Sequence, residues 1–419
     1  MLPLTYHRFP SGLELVLVEH RRAPLVALVV LYRVGSQDEE PSQAGIAHVV
    51  EHLAFGTSAY LGREEFDQYC SDAGGTNNAM TTYSYTLYTM LLPAYQLPLG
   101  LWLEGSRLRG LAFTDEEFRT QQQVILEELK ETVYNQPYGR WREVQLQYAF
   151  AAGCPYHWEV YGTLETVGAL TVEDARKFAR QYYHPANAVL VICGDIDTPR
   201  ALELAEQYLG EIPAPDVCGE RRGFSSECCR GNVVAVLEDE VPLPAVSLAF
   251  HCSGYTAPEY FSLAALAGLL GGGRSSRLYR TFVLQSGCAR EVGAFLDARQ
   301  WASLLTCYAI ASSPTLPASE LEERLWRALR ELCANGITAE EMERVRNQLR
   351  TIHAEHLQHP LGIAHEVAFG TAFWGDAERP FRVLEEYERL KPEEMVEWAR
   401  RIFVPERAVT TFVLPHQKQ

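Results

Sequence analysis

Apolar residues recur along the chain at two spacings, and each spacing predicts an element. Leu170-Thr171-Val172-Glu173-Asp174, running through Ala179-Arg180, Tyr183 and Pro185 to Val189-Leu190-Val191-Ile192, reads as a capped helix, a turn and a buried strand. The same order returns 220 residues later in Leu390-Lys391-Pro392-Glu393-Glu394, Ala399-Arg400, Phe403, Pro405 and Val409 to Val413. A second pair shares almost that offset. Glu19 to Gly35, with the apolar run Leu25 to Tyr32, parallels Glu238 to Gly254, with Pro244 to His251. The chain is therefore read as an internal duplication.

Each half mixes strands and amphipathic helices without the regular alternation of a parallel βαβ sheet. The expected fold class is α+β, with two similar domains, each an antiparallel-rich sheet packed with helices. Between the halves, periodicity lapses into Pro, Gly and charge at Ile212-Pro213-Ala214-Pro215 and Gly219 to Gly223. That break predicts domains over 1–212 and 232–419 with a linker over 213–231. A length of 419 residues exceeds what one hydrophobic core usually serves, which agrees with two domains.

One short segment carries chemistry. Ile46, Val49, Val50 and Leu53 form one apolar helical face, and His48-Val49-Val50-Glu51-His52 places two imidazoles at i and i+4 on another. Side chains at that spacing are neighbours, so His48 and His52 can direct two nitrogens at one zinc ion, with Glu51 bordering the same face. A catalytic zinc needs a third protein ligand. A second helix opens at the capping box Thr114-Asp115-Glu116-Glu117, with Phe118, Val124, Ile125, Leu126 and Leu129 as its apolar positions. Glu128 on that helix is the best candidate, but spacing alone does not separate it from Glu127 and Glu131.

Composition narrows the setting. A net charge of −17 argues against nucleic acid as the main partner, because phosphate binding needs a basic surface. No signal peptide or run of about 18 apolar residues is seen, so neither a membrane span nor export is expected. Ten cysteines without paired spacing read as reduced residues of a cytoplasmic protein, and Cys218 with Cys228-Cys229 reads poorly as a metal site. His353, His356, His359 and His365 form a second histidine-rich stretch. Its spacing is wrong for a metal and Pro360 interrupts it, so these are read as helix-end and surface residues.

The inverted His-x-x-Glu-His order, the flanking Gly45-Ile46-Ala47 and Phe55-Gly56-Thr57 context, and a Glu 76 residues after His52 resemble the pitrilysin/insulinase family of zinc metallopeptidases. Gly74 to Thr81, Tyr83 to Tyr88, Tyr156, Gly162 and Tyr183 to Asn187 extend the likeness along the chain, and length and duplication resemble the short members, including mitochondrial processing peptidases. The resemblance implies that Glu128 completes a zinc site, one Zn2+ per chain, and that Glu51 activates the water. It also implies that the strand after Gly74 binds peptide by strand addition, with Asn78 and Ala79 as substrate contacts.

Two features depart from the family pattern. Gln121 stands where many members have a Glu that supports the zinc ligands. Ser276-Arg277-Leu278 fits a family segment, yet the Arg and Tyr that grip substrate in active members would fall on Val283 and Arg290. The resemblance thus implies a peptidase acting on extended or unfolded peptides as the metal-bearing subunit of a heterodimer, with a homologous subunit supplying the Arg/Tyr pair. The alternatives are a non-catalytic scaffold and a self-sufficient homodimeric peptidase.

Overall fold

The computed structural model describes residues 2–215 and 223–416. Its eleven strands are β1 (Leu4–Arg8), β2 (Glu14–Glu19), β3 (Leu25–Tyr32), β4 (Thr76–Thr81), β5 (Thr86–Pro93), β6 (Ala188–Gly194), β7 (Val233–Asp239), β8 (Ala245–Ser253), β9 (Ala289–Asp297), β10 (Ala302–Ala311) and β11 (Ala408–Pro415). They form a six-stranded sheet, β1-β2-β6-β3-β5-β4, and a five-stranded sheet, β7-β11-β8-β10-β9.

The duplication holds at the level of strand pairing. β6 runs parallel to β2 and antiparallel to β3; β11 runs parallel to β7 and antiparallel to β8. The two repeated apolar runs, β3 and β8, thus occupy the same place in their sheets. All other pairings are antiparallel. The α+β class with two similar helix-packed sheets is the observed architecture.

The compact units do not follow the expected boundaries. One contains the described residues up to 129, then 159–215 and 354–382; the other contains 130–158, 223–353 and 383–416. Domains over 1–212 and 232–419 are cut across because each half of the sequence gives up one helix. Helix Pro360–Phe369 packs Ile363, Ala364, Val367 and Ala368 on Val29, Leu31, Val189 and Val191 of the first sheet. Helix Trp141–Ala149 packs Val144 on Ala235, Leu237 and Val413 of the second.

These two helices are separated by the same spacing as the repeats. The physical reason is coverage: the central strands β3, β6 and β8 are buried on both faces, and burying one Ile or Val side chain contributes about 2 kcal/mol. Of the expected linker 213–231, residues 216–222 lie outside the described residues, as does Cys218. Ser226–Cys228 forms a single helical turn ahead of β7.

Candidate metal centre

The histidine pair sits on helix Ile46–Leu53, whose Ile46, Val49, Val50 and Leu53 are buried as the pattern predicts. Gly45 starts this helix at φ 97°, in left-handed backbone, and a Cβ there would meet the Tyr161 carbonyl oxygen at 2.7 Å. Only glycine fits that turn. Its first turn is capped from a distance. The buried Glu39 carboxylate accepts hydrogen bonds from the backbone N–H of Gly45 (3.0 Å) and of Ala47 (2.9 Å). A carboxylate at a helix N-terminus meets unpaired donors and the positive end of the dipole, which offsets its burial. The sequence reading missed Glu39, because it precedes the helix by too many residues to match a local capping pattern.

The other end is held by a buried ion pair that the sequence reading also missed. Arg107 Nε donates to the Ala54 carbonyl at 3.2 Å, and its Nη1 donates to both Glu104 oxygens at 2.9 and 3.0 Å. The guanidinium also lies over the rings of Tyr88 (4.2 Å) and Phe66 (4.3 Å). Tyr88 in turn donates its hydroxyl to the Tyr183 hydroxyl at 3.2 Å.

Between these anchors, His48 Nε2 and His52 Nε2 face each other at 3.3 Å. Two ligands of one tetrahedral zinc lie roughly 3.3 Å apart, so the spacing fits that ion. Glu128 Oε2 lies 3.8 Å from His52 Nε2, and ligand atoms of His48, His52 and Glu128 all fall within 4.8 Å of one another. Among the described residues this is the one such group of three or more His, Cys, Asp or Glu side chains. Glu127 and Glu131 are exposed.

Gln121 Oε1 lies 3.4 Å from His52 Nδ1, placed to accept that ring proton. A proton on Nδ1 leaves the Nε2 lone pair free for a metal. His48 Nδ1 is buried without a partner among the described residues, and burial, together with His52, pushes its pKa down to about 3. The His48 imidazole therefore suits a neutral, ligating state.

Glu51 is buried on the same helix, and burial pushes its carboxyl up to about 7. Hydrogen bonding from Thr81 opposes that rise, and Glu128 adds to it. A carboxyl poised near neutrality can both take and return a proton.

Thr81 ends β4, which among the described residues pairs only with β5 and so forms a sheet edge. On that edge Asn78 is exposed and Ala79 half-buried. The Ala79 N–H donates to the Asn78 side-chain oxygen at 2.9 Å, a local bond that an incoming strand can displace.

Helix Asp115–Leu129 shows one departure from its expected apolar positions. Val124 is 47% exposed, because it lies about 100–140° around the helix from the buried stripe of Phe118, Ile125 and Leu129.

In the second unit, Arg277 is fully engaged. Its Nε and Nη2 each donate to Glu341 at 2.6 Å, and Nη2 also reaches the Gly336 carbonyl at 2.7 Å. Val283 packs against the hydrophobic core and Arg290 is exposed on β9.

The second histidine stretch differs in part from its reading. His356 and His359 lie at helix ends, but His353 is buried and His365 packs beside Tyr85. The nine described cysteines are free; burial pushes Cys193, Cys252 and Cys307 up to about 12, so they stay protonated thiols. Among the described residues, no helix is long and apolar enough to cross a membrane.

Comparison with known proteins bears on the chain as a whole. Residues 15–151 match the family model described as Insulinase (Peptidase family M16), and residues 169–349 match the Peptidase M16 inactive domain. The chain is 26% identical to a zinc protease of Helicobacter pylori over 416 residues, 97% of this chain and 91% of that protein. It is 22% identical to a probable mitochondrial-processing peptidase subunit beta of Arabidopsis thaliana, over 85% of this chain and 68% of that one. Among solved structures, a protease from Helicobacter pylori superposes with a TM-score of 0.92 at 25% identity, covering 99% of this chain and 100% of that one. A peptidase M16 inactive domain from Pseudomonas fluorescens shares the fold, with a TM-score of 0.88 at 14% identity over 100% of this chain and 99% of that one.

Proposed function

Since the chain belongs to peptidase family M16, we propose that it is a zinc metalloendopeptidase that hydrolyses peptide bonds in extended or unfolded peptides. The observation that carries this reading is the convergence of His48, His52 and Glu128 beside the buried Glu51. The three ligands would hold one zinc per chain. Bound there, zinc supplies a Lewis acid for the scissile carbonyl and acidifies a water toward neutrality.

The residues of this chain do the rest. Glu51 accepts a proton from the attacking water and returns it to the leaving amine. Thr81 orients that carboxylate through its hydroxyl. Gln121 steadies the His52 ring but contributes no charge, so it supports the metal less than a carboxylate would. Substrate adds as a strand along β4, where Asn78 and Ala79 would offer main-chain and side-chain contacts with little sequence preference.

The second unit supports a paired enzyme. Val283 and Arg290 stand where active members carry Arg and Tyr, and Arg277, the nearest alternative, is committed to Glu341. We infer that this chain is the metal-bearing subunit of a heterodimer and that a homologous subunit supplies the Arg/Tyr pair. A non-catalytic scaffold is disfavoured by the convergent ligand set, since nothing in a scaffold requires those three groups together.

Two measurements test the reading on purified protein. Metal analysis should find one zinc per chain; absence of bound zinc overturns the enzyme reading. A mixture of unfolded peptides should be cleaved little by the chain alone and well after addition of a homologous subunit carrying Arg and Tyr. High activity of the chain as a homodimer would refute the pairing.

A further inference from the structure

Glu117 was expected to cap its own helix, and one of its oxygens does so. Thr114 N–H donates to Glu117 Oε2 at 2.7 Å, and Glu117 N–H donates back to Thr114 Oγ1 at 3.2 Å. A capping box needs no more than that. The second oxygen is used elsewhere. Oε1 accepts both the backbone N–H of Thr57 (3.0 Å) and its hydroxyl (2.7 Å), in the loop that leaves the histidine helix.

The neighbouring residue is shaped for this approach. A Cβ on Gly56 would come within 3.1 Å of Glu117 Oε1, so glycine leaves room for the carboxylate. Glu117 itself is buried, yet it stays charged, since its hydrogen bonds outweigh the cost of burial.

Glu117, Gln121 and Glu128 sit at i, i+4 and i+11, within about 40° of one another around the helix. All three face the histidine segment: Glu117 meets Thr57, Gln121 meets the His52 ring, and Glu128 meets the ligand cluster. Zinc–ligand distances tolerate only about 0.2 Å of error, whereas a slip of one residue along a helix is about 1.5 Å. Something has to set the axial register between the two ligand-bearing helices.

We propose that Glu117 is a positioning residue for the metal centre: its bridge to Thr57 fixes the register of the Glu128 helix against the His48/His52 helix. The inference rests on the zinc reading above, and it separates the bridge from the cap, since each uses a different oxygen.

The test compares three variants of the full chain by zinc affinity in chelator competition, by the visible absorption of the cobalt-substituted protein, and by the thermal midpoint of the metal-free protein. Glu117→Ala removes both functions and should weaken zinc about 10-fold or more, with an altered cobalt spectrum. Thr57→Val removes only the hydroxyl arm of the bridge and should weaken zinc about threefold with little change in the metal-free midpoint. Thr114→Ala weakens only the cap and should lower the midpoint while zinc affinity holds.

Wild-type zinc affinity in both Glu117→Ala and Thr57→Val, with a lowered midpoint alone in Glu117→Ala, would reduce Glu117 to a cap and overturn the proposal. If Glu117→Ala fails to fold, Thr57→Val decides. Failure of the wild-type chain to bind either metal sinks the zinc reading itself, and the inference with it.

Discussion

The Thr81 hydroxyl donates to Glu51 Oε2 across 2.5 Å, joining the last residue of the edge strand β4 to the buried carboxylate of the histidine helix. Glu51 is thereby aimed from the same strand that would receive the peptide. Thr81→Val removes the hydroxyl with little change of shape, and we expect kcat to fall about 10-fold with zinc content unchanged. Steady-state kinetics beside metal analysis checks this; an unaltered kcat would remove Thr81 from the mechanism.

Glu51→Gln should separate chemistry from metal binding. The amide cannot accept and return a proton, so turnover should drop at least about 10²-fold while one zinc per chain remains. Loss of zinc in this variant would instead make Glu51 a ligand.

Gln121→Glu tests how much the neutral partner of His52 limits the centre. A carboxylate facing Nδ1 raises the basicity of the imidazole, and zinc affinity should increase about 10-fold. Equal affinity in chelator competition would show that Gln121 and Glu support His52 alike.

Ala79→Pro tests the strand edge. The Ala79 N–H donates to the Asn78 side chain, which directs it away from β5, so proline there spares the β4–β5 ladder while removing an outward donor. KM for a long unfolded peptide should rise about 10-fold, with zinc content and thermal midpoint near wild type. No change in KM would argue that substrate does not pair with β4.

The Arg277–Glu341 pair predicts a specific acid response. Burial raises the Glu341 pKa, but the hydrogen bonds from Arg277 and Thr338 outweigh it and hold the carboxyl down at about 2. A folded pKa below the unfolded one stabilises above pH about 4.5, and that contribution is lost as pH falls toward 2. Glu341→Gln should therefore lower the thermal midpoint by a few degrees at pH 7, with the gap to wild type closing across that acid window. A gap independent of pH would mean that ionisation of Glu341 contributes nothing.

Local patterns carried a large part of this protein into view. The i, i+4 spacing of His48 and His52 and the apolar stripe Ile46, Val49, Val50 and Leu53 both lie within one short helix, where periodicity alone says which side chains share a face. The duplication was legible for the same reason: a helix, turn and strand repeat their own local order, and β3/β6 and β8/β11 then pair alike. Other features had no local signature. Glu128 stands apart from Glu127 and Glu131 only because helix Asp115–Leu129 presents that stripe to the histidines. Glu39, Arg107 and Thr81 act on residues of the histidine helix or its end from 6 to 53 positions away, through hydrogen bonds that no sequence spacing encodes. The exchange of helices Trp141–Ala149 and Pro360–Phe369 is the clearest case. Neither carries a mark in sequence of the sheet it covers, which depends on where an uncovered apolar face lies in three dimensions.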